Sequence, residues 1–196
     1  GLVGSEMCIR DSHIDARDIY SKYGIRIISW LNTFTSSGIL YEVDSQLRPD
    51  GNSGLLVSSL EGYLNYQEEK AWVWEHQAIT RARFAAGNYH VGHAFELVRR
   101  QILSKKRDLY SLRSEISKMR QRMKSVHKHT FGQFDLKQSL GGMIDVEFIA
   151  QYFILAFSNQ YPSLMEHQGT SETILNCGEL GLIDSQMPLF AVLIGN

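Results

Sequence analysis

The second half of this chain carries apolar residues at helical spacing almost without interruption, and this pattern limits the fold more than any other feature. Beyond Gly87-Asn88 the spacing predicts four helices, at about 90–104, 108–126, 142–158 and 171–180. Within the second of these, five apolar residues share one helical face: Leu109, Leu112, Ile116, Met119 and Met123. We therefore expect an all-helical domain over 88–196.

The first half mixes helical and strand-like periodicity. A helix is predicted from about His13 to Leu31, and the alternation over Ile39–Leu47 predicts a strand. The turn-forming run Arg48–Gly54 follows, and Leu55–Val57 is predicted to be a second short strand. Two strands alone form a marginal sheet, so we expect either that strands from elsewhere complete it or that the chain is a fragment of a longer protein.

Two more helical stretches complete the first half. Ser59 is a predicted N-cap for a helix that runs to Lys70, and a mostly helical stretch continues from Trp72 to about Ala85. The fold class is thus predicted as α+β, with a partial domain over 13–87 and a helical domain over 88–196. Residues 1–12 are interpreted as an extraneous or disordered leader, and the apolar end at 188–194 as a sign of truncation.

The composition excludes several classes of protein, among them disordered chains, disulfide scaffolds and membrane-spanning proteins. With 196 residues, 43% of them hydrophobic, the chain can bury the core of one large or two small domains. Its two cysteines, Cys8 and Cys177, suit a reducing cytosol better than a disulfide scaffold. The longest apolar stretch, around Phe148–Phe157, is far shorter than the roughly 20 residues of a membrane helix. We expect a soluble, cytoplasmic protein without membrane partners.

The net charge of −1 conceals a strongly basic segment. Residues 99–129 hold 11 Lys or Arg against Asp108 and Glu115. One interpretation is a surface for phosphates or an acidic protein, and the other is the solvated face of an amphipathic helix. The stacking platform of interleaved aromatic residues that nucleic acid would need is missing, so no nucleic-acid partner is expected.

A pair of carboxylates forms the first candidate site. Alternation along the predicted strand places Glu42, Asp44 and Gln46 on one face, beside the glycine-rich turn. Two carboxylates in this setting suit Mg²⁺, which is held by few carboxylates together with substrate phosphates. The alternative is the polar outer face of an edge strand.

A tryptophan-rich run from Ala71 to Arg83 forms the second candidate site. On a helix, Trp72 could pack inward as a core anchor while Arg81 or Arg83 binds a phosphate. Structural packing explains the same residues without any ligand.

The segment Gly141–Phe148 forms the third candidate site and opens a predicted helix. Asp145 and Glu147 complement the helix dipole there, while Gly141 and Gly142 permit close backbone approach to another segment or to a ligand. The histidine pairs His90/His93 and His127/His129 lack partners at zinc-site spacing, so no metal is expected at them.

Taken together, these motifs carry a resemblance to a known family. They follow one another along the chain as Tyr41-Glu42-Val43-Asp44-Ser45-Gln46-Leu47-Arg48-Pro49, Gly51-Asn52-Ser53-Gly54-Leu55-Leu56-Val57, the tryptophan-rich run through Arg83, and Gly141-Gly142-Met143-Ile144-Asp145-Val146-Glu147-Phe148. Over about 14–184 the chain resembles glutamine synthetase adenylyltransferases. These enzymes have two related halves that attach AMP to a tyrosine of glutamine synthetase and remove it, thereby regulating nitrogen assimilation.

The resemblance implies a fold, cofactors and partners. It implies a DNA polymerase beta-like nucleotidyltransferase domain followed by a helical domain, with ATP as substrate and Mg²⁺ as cofactor. The expected partners are glutamine synthetase and a PII-type regulatory protein. The form Trp74-Glu75-His76-Gln77 resembles the C-terminal, adenylylating half. The alternatives are the adenylyl-removing half and a non-catalytic helical module that docks an acidic partner.

The resemblance also implies roles for single residues. Asp44 matches the third catalytic, metal-binding carboxylate of such enzymes, with Glu42 beside it, and Arg48 would face the triphosphate or the acceptor. Arg81 and Arg83 are the expected phosphate-binding residues. The remaining residues of the family motifs are Trp74, Glu75, Gly141, Gly142, Asp145 and Glu147.

Two departures from the family pattern bear on activity. Gln46 stands where the family usually has Arg, and no Gly-rich turn followed by Asp-x-Asp precedes Asp44. Because adenylyl transfer uses the two carboxylates of that motif as metal ligands, the 196-residue chain by itself is expected to be inactive.

Overall fold

The computed structural model describes residues 16–45, 48–51, 54–126 and 134–183. Within them the chain is mostly helical, with one small two-stranded sheet. The elements are α1 (Ala16–Leu31), β1 (Phe34–Thr35), β2 (Gly38–Ile39), α2 (Leu60–Glu69), α3 (Val73–Arg81), α4 (Tyr89–Leu103), α5 (Leu109–Val126), α6 (Met143–Phe157), a 3₁₀ turn (Pro162–Met165) and α7 (Thr170–Glu179). The leader at 1–12, Gln46, the pair His127/His129 and the end at 188–194 lie outside the described residues.

The helices predicted from periodicity are confirmed. The four predicted beyond residue 88 correspond to α4, α5, α6 and α7, and each begins and ends within about one residue of its predicted bounds. Helix α3 ends at Arg81, earlier than predicted. The Ser59 cap is also confirmed, because its Oγ accepts a hydrogen bond of 3.1 Å from the Gly62 N–H.

The chain divides after Tyr66 into two compact units. The predicted boundary at 87/88 lies further along the chain. Helix α3 lies before that predicted boundary, yet it packs against α4, α5 and α6 of the second unit. We describe the two units separately and call the second the helical unit.

The strand predicted over 39–47 is wrong for the described residues beyond Ile39. The sheet is a short hairpin in which Phe34 pairs with Ile39, and residues 41–45 are irregular. The Tyr41 N–H donates to Leu31 O at 3.0 Å, and the Val43 N–H donates to the side chain of Asn32 at 3.1 Å. The end of α1 thus takes the hydrogen bonds that a partner strand would have received.

The second predicted strand, Leu55–Val57, is also wrong. This segment is irregular and lies against α1 at Gly24, where an added Cβ would come within 3.0 Å of the Leu56 side chain and 3.4 Å of Val57. A glycine in the middle of α1 therefore lets the segment approach the helix closely. Packing against a helix replaces the predicted strand pairing.

The helical unit is organised around α6. This helix packs against α3, α5, α7 and the 3₁₀ turn. Its buried apolar side chains are Ile144, Ala150, Ile154, Leu155 and Ala156. A helix that is apolar on several faces is stable only when it is surrounded, which accounts for its central place. Among the described residues, no helix is both long and apolar enough to cross a bilayer.

Two arginines of the basic segment, Arg99 and Arg107, each donate to several backbone carbonyl oxygens within this unit. Arg99 is 1% exposed, and its guanidinium donates to the carbonyl oxygens of Ile79 (3.2 Å), Thr80 (3.0 Å) and Met165 (2.8 Å). Arg107 donates to four carbonyl oxygens, those of Ile102, Leu103, Lys105 and Leu155. Burial lowers the pKa of Arg107 to about 10. Both residues donate to carbonyl groups at helix ends, where the helix itself leaves carbonyl oxygens short of donors, and Ile79 O and Ile102 O also accept a backbone N–H.

Candidate functional site

In the first unit, Arg48 stabilises the glycine-rich turn. Its Nη1 donates to Ser45 O (2.6 Å) and Ser45 Oγ (2.9 Å), and its Nε donates to Gly54 O (3.3 Å). Gly54 has no room for a side chain, because an added Cβ would lie 1.9 Å from Pro49 O. Asp50 and Gly51 both have positive φ, of 59° and 54°. The arginine therefore links Ser45, before the turn, to Gly54 at its end.

Glu42 and Asp44 are exposed side chains on the irregular segment that leads into the turn. Because no strand forms there, the alternation that was expected to align them on one face does not apply. Within the described ranges, no group of three or more His, Cys, Asp or Glu side chains could hold a metal ion. Two carboxylates suit a Mg²⁺ ion that is also bound by phosphates and water, so these residues fit part of a shared site and not a self-contained one.

The tryptophan-rich run forms α3, but Trp72 is not the core anchor that the sequence predicted. Trp72 is 69% exposed at the N-cap position. Its backbone N–H donates to Glu75 Oε2 at 2.8 Å, and Glu75 is buried. Trp74 is half-buried. The acidic residue of this motif therefore caps the helix, and the first indole lies outside the core.

Replacing Trp72 by alanine is expected to lower the free energy of unfolding by less than about 1 kcal/mol, as for exposed residues in general. Ile79→Ala in the same helix is the matched comparison, because Ile79 is 3% exposed and its loss should cost about 2–5 kcal/mol. Urea denaturation followed by circular dichroism measures both. Equal losses would place the Trp72 indole in the core after all.

His76 and Gln77 of the same helix face the interior. His76 Nε2 lies 3.0 Å from Gln67 O, so this nitrogen carries the proton, and burial lowers the pKa of the imidazole. Gln77 Nε2 donates to Gln151 Oε1 of α6 at 2.8 Å. Both contacts fix α3 within the helical unit.

The two expected phosphate-binding arginines have different surroundings. Arg81, at the end of α3, has its Nε 3.7 Å from Glu147 Oε1 and its Nη1 3.3 Å from Thr170 Oγ1. This half-exposed pair joins two motifs that lie far apart in sequence. Arg83 follows the helix and is exposed.

The glycine pair and Asp145 form a closed turn at the start of α6. Gly141 has a φ of +79°, and its N–H donates to Asp145 Oδ2 at 2.7 Å. At Gly142 an added Cβ would lie 2.6 Å from Leu136 O and 2.9 Å from Ser139 O. Both glycines are therefore required by backbone geometry: one by its conformation and the other by close approach.

Asp145 also binds two cations of α5. Arg120 Nε donates to Asp145 Oδ1, and Lys124 Nζ lies 3.5 Å from Oδ2. Burial opposes ionisation of this carboxyl, but the hydrogen bonds from Arg120 and Gly141 outweigh it and hold the pKa of Asp145 below its ordinary value. The family motif thus anchors α5 to α6.

The structure brings together some of the predicted residues. Within the helical unit, Arg81 forms an ion pair with Glu147, and Asp145 accepts a hydrogen bond from the Gly141 N–H. Glu42, Asp44 and Arg48 belong to the first unit. Sequence reasoning missed Arg120, which is 6% exposed. Its spacing of four residues from Ile116 places it on the buried face of α5, and that spacing was the available signal.

Comparison with a family model and with curated proteins points to the same family of adenylyltransferases. Residues 5–98 match the family model described as glutamate-ammonia ligase adenylyltransferase. This match begins inside the segment 1–12 that the sequence set apart as a leader. Across 90% of its length, the chain is 48% identical to the bifunctional glutamine synthetase adenylyltransferase/adenylyl-removing enzyme of Nitrosomonas eutropha, of which it covers 19%.

Other relatives carry the same name. The protein of Nitrosomonas europaea is 49% identical over 88% of this chain, which covers 19% of that protein. The protein of Chromobacterium violaceum is 47% identical over 90% of this chain, which covers 20% of that protein. The chain therefore spans about one fifth of the length of the curated relatives it matches.

Proposed function

We infer that the chain belongs to the family of bifunctional glutamine synthetase adenylyltransferase/adenylyl-removing enzymes, and we propose that it contributes to the transfer of AMP from ATP to a tyrosine of glutamine synthetase. One observation carries this proposal: the 48% identity that extends over 90% of the chain. Because the chain covers 19% of that relative, we assign it part of the catalytic machinery.

We propose that residues 13–87 belong to a DNA polymerase beta-like nucleotidyltransferase domain. The exposure of α1 supports this, because none of its described residues is buried. Tyr23 is 65% exposed, Trp30 62% and Ile19 49%. A helix with so many exposed apolar side chains normally packs on a sheet or another helix. The remaining strands of a nucleotidyltransferase sheet would cover it.

Asp44 is proposed as a metal-binding catalytic carboxylate, with Glu42 beside it. Mg²⁺ at such a site neutralises phosphate charge and holds the reacting oxygens in line. Asp44 is exposed and directly precedes Ser45, which Arg48 binds, so its carboxylate lies at a defined position of the backbone. Since Arg48 already donates to Ser45 and Gly54, its proposed contact with the triphosphate or acceptor adds to a structural role.

Phosphate binding by Arg81 and Arg83 is proposed on different grounds for each. Arg81 shares its guanidinium with Glu147 and Thr170, and its half-exposed side chain still reaches solvent. Arg83 is exposed just beyond the end of α3. A planar guanidinium binds phosphate oxygens bidentately, which is the interaction that this role requires.

We assign the chain to the C-terminal, adenylylating half because of its Trp74-Glu75-His76-Gln77 sequence, with the adenylyl-removing half as the alternative. The helical domain at 88–196 would follow the nucleotidyltransferase domain. A PII-type regulatory protein as a partner and a cytoplasmic location belong to the same proposal. A helical module without catalysis remains the rival hypothesis.

The 196-residue chain alone is expected to transfer no AMP, because Glu42 and Asp44 are too few carboxylates for the site and no Asp-x-Asp motif precedes them. The test incubates the chain with labelled ATP, Mg²⁺ and unmodified glutamine synthetase. Label on the synthetase above the no-protein background would contradict this expectation.

A version extended upstream with the Gly-Gly and Asp-x-Asp segment of a relative tests the function itself. Transfer of label by this version supports the adenylylating assignment. Removal of AMP from adenylylated glutamine synthetase, with no transfer, would support the other half instead. Failure of both reactions in a folded extended protein would favour the non-catalytic module.

A further inference from the structure

A groove lies between α5 and α6 in the helical unit, and we call it the α5/α6 groove. It is open to solvent and has a volume of about 440 Å³, which is within the range of small-molecule sites. One part of its lining is apolar, from Ile116, Phe148, Ile149 and Tyr152. Phe148 and Tyr152 are four residues apart on α6, so their rings share one face of the helix.

The charged lining of the groove is predominantly cationic. It consists of Arg113, Arg120 and Lys124 from α5 and Asp145 from α6. Asp145 binds Arg120 and lies 3.5 Å from Lys124, so one carboxylate serves two cations. Arg113 is exposed and has no ion-pair partner within the described residues. The lining therefore carries three positive charges against one negative charge.

Arg120 adds a second, independent observation. Its Nε binds Asp145 and its Nη2 donates to Gln138 O at 2.8 Å. Its Nη1 is buried and has no hydrogen-bond partner in the described part of the chain. A buried donor without an acceptor is unusual in a folded protein and needs an explanation, for which a bound acceptor group is one.

We propose that the α5/α6 groove binds a small organic carboxylate with an apolar or aromatic body. The carboxylate accepts a hydrogen bond from Arg120 Nη1 and interacts with Arg113 and Lys124, the cations that reach solvent. The body packs on the side chains of Phe148 and Tyr152. The proposal uses residues of α5 and α6 and is independent of the proposed adenylyl transfer.

The probe for this site is 2-naphthoate, titrated into the 196-residue chain by isothermal calorimetry. Saturable binding of one molecule per chain is expected. Neutral 2-naphthamide tests the need for charge and inorganic phosphate tests the need for an apolar body, and each should bind at least about tenfold more weakly. Equal binding of naphthamide, or no saturable binding of naphthoate, would overturn the proposal.

The location is tested with variants of equal charge. Arg113→Gln/Lys124→Gln should weaken naphthoate binding at least about tenfold. The control Lys118→Gln/Arg122→Gln removes two exposed cations of α5 that lie outside the groove lining, and it should bind as the unaltered chain does. An equal loss in the control would show that binding follows net charge and would refute the site.

A third variant separates loss of the site from loss of the fold. Ile149 is 47% exposed, so Ile149→Glu leaves the core intact while placing a negative charge in the groove. It should abolish naphthoate binding while the thermal midpoint by circular dichroism stays within a few degrees. Unchanged binding in this folded variant would contradict the proposal.

Discussion

Replacing Arg99 by methionine is expected to destabilise the helical unit by about 3–5 kcal/mol. Methionine keeps an unbranched apolar stem but removes every donor. The carbonyl oxygens of Thr80 and Met165 then lose the Arg99 donor inside a region where Arg99 itself is 1% exposed, and Ile79 O keeps only the hydrogen bond from the Ala82 N–H. Each buried acceptor left without a donor costs about 1–3 kcal/mol, and local relaxation recovers part of the sum.

The neighbouring Arg100 provides the matched control. Its guanidinium pairs with Glu166 at 3.0 Å, and both side chains are substantially exposed, at 40% and 60%. Exposed pairs of this kind contribute less than about 1 kcal/mol. Arg100→Met should therefore have little effect in urea denaturation followed by circular dichroism. Similar losses from the two variants would show that the network around Arg99 adds nothing beyond a surface charge.

An Arg99→Lys variant distinguishes charge from geometry. Lysine retains the positive charge, but its single nitrogen cannot reach three carbonyl groups in the directions that the planar guanidinium does. We expect it to recover only part of the loss. Full recovery would mean that charge alone stabilises this position.

The helical unit was predictable because its signal is local. Apolar residues at every third or fourth position decide which face is buried, and α4 to α7 follow that pattern closely. The basic segment, residues 99–129, is where prediction from residue type alone was wrong. Charge counting placed all of its cations at the surface, either for a partner or for solvent, whereas Arg99 and Arg120 are buried. Both residues occupy positions on the apolar faces of α4 and α5, and this spacing indicated burial. Because arginine is usually exposed, the residue type suggested the opposite.

The strand predictions failed because a strand needs a neighbouring strand to bind its backbone, and the local sequence does not show whether one is present. Tyr41 and Val43 alternate correctly for a strand, yet their N–H groups bond to Leu31 O and to the Asn32 side chain at the end of α1. Leu56 packs on Gly24. The alternation of polar and apolar residues therefore indicated which side chains differ in polarity, but it could not predict which backbone groups would form hydrogen bonds with one another.

In the candidate site, too, features set by the local backbone were predictable and features that depend on distant groups were not. The glycine motifs were predicted well, since a positive φ at Gly141 and the lack of space at Gly142 are backbone requirements that glycine alone meets cheaply. Trp72 was predicted poorly because an N-cap residue precedes the helix and need not follow its buried face. The roles of Glu42 and Asp44 stay predictions, because they depend on groups that the described residues do not contain.

Neutralising Asp44 should have the largest effect on activity of any single change in the first unit. In a full-length enzyme that carries this segment, Asp44→Asn is expected to reduce adenylyl transfer by about a hundredfold or more. The amide keeps the size of the side chain but lacks the charge that a hard cation requires from its ligand. A preorganised charge interaction at a reacting centre is worth roughly that factor.

Asp50→Asn is the control for this experiment. Asp50 is an exposed carboxylate in the following turn, and its φ of 59° is a conformation that asparagine adopts readily, so the change removes a nearby charge without strain. Transfer of label from ATP to glutamine synthetase should be nearly unchanged in this variant. Both variants should keep the thermal midpoint, since both carboxylates are exposed. If Asp44→Asn retains full turnover, or if Asp50→Asn loses as much, Asp44 is not the metal-binding carboxylate and the catalytic site must be sought elsewhere in the family motifs.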